Sequence, residues 1–297
     1  MEMRYEDCRG TELNYRVIGD TITITNCMTK SVKADIPMLI EQKKVTRIAK
    51  KTFLGCKLLT KVRLPETIQE IGEWAFAFCD HLEEVQLPEK SIVFGQGCFD
   101  KCIRLKKLSV YAVDQPDQID EEQAALLAST VRLLDADYLL DPLNCKNEAW
   151  LREYDLRLMT LLTQEDMEGF QKEILCGEED LNANQDDFLS KRRRYKASLC
   201  YFRLFHRVGL SVENQRILEE YLKEHQKGCH DEAAWEYVLM EHGDEKEYYE
   251  LLLELGCINQ SNLEAILDDM GDRHPQIKAF LLQEQQPADD FFSSLLF

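Results

Sequence analysis

Three groups of residues have the types and spacing that chemistry requires. His225, Cys229 and His230 lie close together and offer metal-ligating atoms. They lack a fourth ligand and the spacing of a tetrahedral site, so a helix end followed by a turn with polar histidines accounts for them better. Cys56, Cys79 and Cys102 recur every 23 residues. Thiols brought together this way could be redox-active, although the same spacing suits a ladder of buried, inert side chains. Lys191-Arg192-Arg193-Arg194, followed by Tyr195, is the one dense basic run. Such a run can grip phosphates. In acidic surroundings on a helix it suits internal ion pairing or a docking face instead. The sequence has no Gly-rich phosphate loop, no Gly-x-Ser-x-Gly and no His-Glu-x-x-His. Solvated helix faces account for its many carboxylates. The expectation is therefore no catalytic residue, no metal site and no cofactor.

Composition narrows the classes further. The chain is 44% hydrophobic and 31% charged, enough apolar material for packed cores, and 297 residues suit two domains. No stretch approaches the roughly 18 apolar residues of a membrane helix, and the first residues do not read as a secretory signal. The cysteines number eleven, an odd count without a Cys-x-x-Cys pair. They read as reduced, mostly buried thiols in a cytoplasmic protein, unless a trimmed leader places it at a surface. Charge is divided unevenly. Residues 1–113 hold 18 Lys/Arg against 15 Asp/Glu, net +3, and the remaining 18 basic and 40 acidic groups give −22. The acidic part should repel nucleic acid and anionic membranes, so neither is expected as a partner.

The elements that must position any site are written in a repeat. Phe53, Phe76 and Phe99 are 23 apart, as are Cys56, Cys79 and Cys102, and Leu59, Leu82 and Leu105. Val62, Val85 and Leu108 keep the same phase, followed by Leu64, Leu87 and Val110, with Ile48, Ile71 and Phe94 opening each copy. The period implies a solenoid. Each copy gives one short strand, Val62–Leu64, Val85–Leu87 and Leu108–Val110, and the strands stack about 4.8 Å apart. Like residues then form buried ladders. Pro65 and Pro88 should end the strand pairing, because proline has no N–H to donate.

The segment Ile71-Gly72-Glu73-Trp74-Ala75-Phe76-Ala77-Phe78-Cys79-Asp80-His81-Leu82-Glu83-Glu84-Val85-Gln86-Leu87-Pro88 resembles the BspA-type leucine-rich repeat of bacterial proteins. Ile36-Pro37 followed by Val45-Thr46-Arg47-Ile48 resembles the incoming part of the same repeat. Gly19-Asp20-Thr21-Ile22-Thr23-Ile24 resembles the strand that starts such arrays, here an N-terminal cap. The resemblance covers about residues 15–111. It implies a surface, adhesion or other binding role without catalytic residues.

From Asp120 the apolar period changes from strand-like to helical, after a linker at 114–119. Helices are predicted at about 120–134, 146–162, 164–176, 186–207, 211–226, 231–242, 244–255, 260–270 and 275–285. Thr163, Ser211 and Asp231 have the chemistry of helix N-caps. Glycines 209, 228, 243, 256 and 271 stand where helices should stop. Glu250–Gly256 looks like the second helix of an ankyrin-like hairpin, a character confined to about residues 230–285.

The fold class is thus α+β: a leucine-rich-repeat β-solenoid over 1–113, then an all-α helical-hairpin domain over 120–286. A tail, 287–297, contains Asp289-Asp290-Phe291-Phe292-Ser293-Ser294-Leu295-Leu296-Phe297, either a docking peptide or a fold-back. Within each repeat strand the residue between two apolar positions points outward. This makes Arg63, Gln86 and Ser109, with Lys61, Glu84 and Lys107 two places earlier, the candidate surface for binding another protein.

Overall fold

The structure is a computed structural model that describes residues 2–6, 10–170 and 184–284. The residues divide into two compact units, Met1–Leu158 and Met159–Phe297. The apolar tail and the second half of the helix predicted at 164–176 lie outside the described residues.

The first unit is the solenoid. Its strands are β1 (Met3–Glu6), β2 (Thr11–Ile18), β3 (Thr21–Thr29), β4 (Lys33–Asp35), β5 (Leu39–Ile40), β6 (Lys43–Ile48), β7 (Lys61–Arg63), β8 (Glu70–Ile71), β9 (Glu84–Pro88), β10 (Val93–Phe94) and β11 (Lys107–Tyr111). One sheet runs β11-β9-β7-β4, all parallel. The other runs β1-β2-β3-β6-β8-β10, with β5 beside β6. Register follows the sequence period. Val62 pairs with Val85 and Val85 with Leu108, while Ile48 pairs with Ile71 and Ile71 with Phe94. β1, β2 and β3 form an antiparallel sheet edge that closes the N-terminal end, and β3 then pairs parallel to β6.

Between the sheets, like stacks on like. Phe53 and Phe76 have ring centroids 4.6 Å apart, and Phe76 and Phe99 5.3 Å, in both cases nearly parallel. The Cys79 thiol donates to the Phe53 carbonyl and the Cys102 thiol to the Phe76 carbonyl, each at 3.1 Å. The polar S–H of each rung thereby satisfies a buried carbonyl of the rung before it. Gly72 and Gly95 allow this close stacking. A Cβ on Gly72 would lie 2.5 Å from the Lys50 backbone nitrogen, and one on Gly95 2.3 Å from that of Glu73. Pro65 follows the end of β7, as expected, but β9 continues through Pro88. The ladder there uses the proline's neighbours, with Glu89 N–H donating to the Tyr111 carbonyl at 2.9 Å.

Two helices complete this unit: α1 (Glu121–Arg132) and the greater part of α2 (Glu148–Thr163). The Asp120 side chain caps α1 by accepting from Gln123 N–H at 3.0 Å. Helix α1 lays Ala124, Leu127 and Ala128 inward and packs against β11. It thereby covers a sheet edge that would otherwise be open to pairing. Tyr154 of α2 is tied to Ser129 of α1 by a 2.6 Å hydroxyl contact. The change in sequence pattern at 114–119 and the division between compact units therefore fall at different places.

The second unit is helical: α3 (Gln185–Phe205), α4 (Val212–Glu224), α5 (Ala233–Glu241), α6 (Lys246–Glu254), α7 (Leu263–Met270) and α8 (Pro275–Glu284). Helix α3 is its centre, packing on α4 and α5 with Leu199, Cys200, Tyr201 and Leu204 buried. Fully buried Arg203 donates to the carbonyls of His206 and Val208, the end of its own helix. A cation there also complements the negative end of the helix dipole. Ser211 caps α4 as expected, accepting from Asn214 N–H at 3.1 Å. Thr163 is no cap. It closes α2, and its hydroxyl donates back to the Met159 carbonyl at 2.9 Å. Residues 164–169 form a turn instead of starting a helix.

Candidate protein-binding site

The alternation along β7 and β9 sets one face to water. Val62, Val85 and Leu87 are buried, and Lys61, Arg63, Glu84 and Gln86 are only half-buried. Parallel pairing places Lys61 beside Glu84 and Arg63 beside Gln86. The side chains then join across strands. Lys61 Nζ lies 2.7 Å from Glu84 Oε2, Arg63 Nη1 donates to Gln86 Oε1 at 3.3 Å, and Gln86 Nε2 donates to Glu84 Oε1 at 3.0 Å. Burial pushes the Glu84 carboxyl up, but hydrogen bonds from Lys61, Ser109 and Gln86 outweigh it and hold the group below the usual carboxylate range. The Arg63 guanidinium also lies over the Tyr111 ring, 4.6 Å from its centroid. That stacking fixes a flexible side chain in place. It borders a shallow groove of about 300 Å³ lined by Met38, Leu64, Tyr111 and Val113.

The two candidates on the last strand behave differently. Ser109 faces the same way as Gln86 but is fully buried, its hydroxyl donating to Glu84 at 2.9 Å. Lys107 is engaged by Glu121 of α1 at 2.5 Å. The expectation that Ser109 offers recognition surface is therefore corrected: α1 packs on this strand, and the two-residue alternation holds no sign of that helix.

The site gains a rung at its other end. β4 pairs with β7, Lys33 beside Lys61 and Asp35 beside Arg63. Lys33 and Asp35, both exposed, extend the two outward columns. They escape a 23-residue search because β4 stands 28 residues before β7. The usable signal is Ala34-Asp35-Ile36-Pro37, which parallels Val62-Arg63-Leu64-Pro65.

The other sequence candidates resolve as structural. His225 Nδ1 lies 2.8 Å from the Tyr221 carbonyl and its ring stacks on Tyr221 at 4.0 Å, while Cys229 contacts the Lys223 carbonyl. Among the described residues, no group of three or more His, Cys, Asp or Glu is arranged to hold a metal. The basic run is internally paired. Lys191 meets Asp187 at 2.7 Å, Arg192 reaches Gln164, Arg193 bridges Asp166 at 2.8 Å and Asp231 at 3.1 Å, and Arg194 reaches Glu236 at 3.7 Å. Buried Lys196 adds a second contact to Asp166 at 2.7 Å. Of the Phe–Cys ladder thiols, Cys79 and Cys102 are buried, but Cys56 is half-exposed. Hydrogen bonding with the Cys27 thiol draws its pKa down. No helix among the described residues is long and apolar enough to cross a membrane.

Each repeat supplies two strands, not the one expected, because Glu70–Ile71 and Val93–Phe94 pair in a second parallel sheet. These two-strand rungs, with their Phe and Cys ladders, define a leucine-rich-repeat solenoid. Residues 27–121 match the BspA type leucine rich repeat region in six copies. Solved structures similar to part of the chain include a leucine rich repeat protein of T. pallidum, 30% identical over 34% of this chain and 51% of that one, TM-score 0.31. A leucine rich cell surface protein of Faecalibacterium prausnitzii is 26% identical over 37% of this chain and 30% of that one, TM-score 0.30. A Bacteroides capillosus leucine-rich repeat protein is 28% identical over 35% and 78%, TM-score 0.31. The chain thus spans about half the length of the T. pallidum protein and under a third of the F. prausnitzii one. A comparison with curated proteins returned no match.

Proposed function

We propose that this chain is a non-catalytic scaffold that binds another protein through the outer face of β4, β7 and β9. The observation that carries this reading is the pair of outward columns, Lys33–Lys61–Glu84 and Asp35–Arg63–Gln86, set by parallel register. The Lys61–Glu84–Gln86–Arg63 network holds four of these side chains before any partner arrives. Presenting polar groups on a rigid scaffold lowers the ordering cost of association. The mixed charges suit a partner segment that brings both carboxylates and hydrogen-bond donors. Seven of the nine described cysteines are buried, a usage that suits small apolar side chains in a reducing, cytoplasmic location. A surface or adhesion role, the alternative suggested by the repeat type, would require export.

The test is capture of partners by the wild-type chain and by a Lys61→Ala, Arg63→Ala, Gln86→Ala variant of equal thermal stability. A protein retained by the first and lost by the second supports the reading. Equal retention by both sinks it.

A further inference from the structure

The loops that follow β6, β8 and β10 carry two left-handed residues each. One column is Lys51, Trp74 and Gly97, with φ of 61°, 53° and 60°. The other is Gly55, Phe78 and Lys101, with φ of 67°, 59° and 56°. This backbone region is unfavourable for any residue with a Cβ and natural for glycine. Glycine fills it at 55 and 97. The middle repeat instead places two bulky aromatics there, and neither is buried: Trp74 is 38% exposed and Phe78 50%. Strain accepted to display aromatic rings at the surface points to binding, not packing.

The neighbours shape these rings into a site. The Trp74 indole occupies space left by Gly97, where a Cβ would stand 2.6 Å from the ring's Cδ1. The Lys50 and Lys51 ammonium groups lie 4.7 and 5.0 Å from the Trp74 ring centroid. Lys51, Leu54, Gly55, Trp74, Phe78 and Asp100 enclose a largely apolar groove of about 620 Å³. Lys50 is paired with Glu73 at 2.5 Å, so the occupant should bring apolar side chains for the groove and a carboxylate for Lys51. Asp289-Asp290-Phe291-Phe292-Ser293-Ser294-Leu295-Leu296-Phe297 has that pattern, an acidic pair followed by five large apolar residues. The long-range charge agrees, +3 for residues 1–113 against −22 for the remainder.

We propose that the Leu54–Trp74–Phe78 groove is a docking site for a second copy of this chain, engaged through that copy's segment Asp289–Phe297. The groove shares no residue with the strand-face site, so the two readings stand or fall separately.

A labelled peptide of residues 287–297, titrated into the chain lacking those residues, tests the contact by fluorescence anisotropy. Light scattering of the intact chain over a range of concentrations tests the assembly. Phe78→Gly is the informative variant, because glycine suits the backbone at that position and the fold should survive. The proposal expects saturable peptide binding and concentration-dependent association of the intact chain. Both should weaken about tenfold or more with Phe78→Gly, and association should vanish when residues 287–297 are removed. Absence of peptide binding, equal binding by Phe78→Gly, or an intact chain that stays monomeric would each overturn it.

Discussion

Phe76 lies between Phe53 and Phe99 with no exposed surface. Truncating it removes an aromatic ring and both stacking contacts, and the rigid rungs above and below cannot collapse into the space. Phe76→Ala should cost about 3–5 kcal/mol in chemical unfolding of the repeat unit. A loss below about 1 kcal/mol would mean that the ladder does not carry the core. The thiols should divide by exposure. Cys56 is half-exposed and its pKa is drawn down by the Cys27 thiol, whereas Cys79 and Cys102 are covered. Alkylation of the native protein followed by peptide mapping should modify Cys56 well before the other two; equal rates would contradict this. These ladder positions were legible in the sequence because every rung repeats one environment, so residue type repeats with it. Ser109 was not. Its exposure depends on α1, an element outside the repeat.

At the scale of elements, local chemistry explains some boundaries and tertiary contacts the others. Ser211 precedes an amphipathic run and caps α4, so Ser211→Ala should cost about 1 kcal/mol of the helical unit's stability. Thr163 also offers a hydroxyl, three places before Asp166, but Asp166 is drawn away. Burial tends to raise the Asp166 carboxyl, and hydrogen bonds from Arg193 and Lys196 on α3 hold it below the usual carboxylate range. A partner 27 residues distant leaves no trace in a local motif. The sign of the linkage follows. Asp166 binds its proton less readily folded than unfolded, so its contribution is complete above the ordinary carboxylate value. It is lost as pH falls below about 4 toward the lower folded value. The melting temperature of the helical unit should drop over that range. Asp166→Asn should begin less stable and show a shallower drop; an unchanged acid profile would refute the anchoring role.

Across the whole molecule, the sequence announced an α+β chain with a repeat followed by helices, because the hydrophobic period changes from strand-like to helical near residue 120. The division into compact units at Leu158 was not visible in that pattern. A helix shows its amphipathic face in sequence, but not which surface that face covers. The same limit applies to the site. The period gave the outward columns on β7 and β9, while β4, displaced to a 28-residue offset, and α1, packed on β11, reset the ends of the strip. The proposed binding surface thereby shifts away from Lys107 and Ser109 and toward Lys33 and Asp35.

The claim that this face receives a protein partner is tested most directly by a photo-crosslinking residue placed at Lys33, on the exposed end of the strip. The control is the same residue at Val212, which is 86% exposed on α4. The account predicts a crosslinked partner from position 33, absent from position 212 and abolished when Lys61, Arg63 and Gln86 are changed to alanine. A partner crosslinked from 212 and not from 33, or one indifferent to the three alanines, would contradict it.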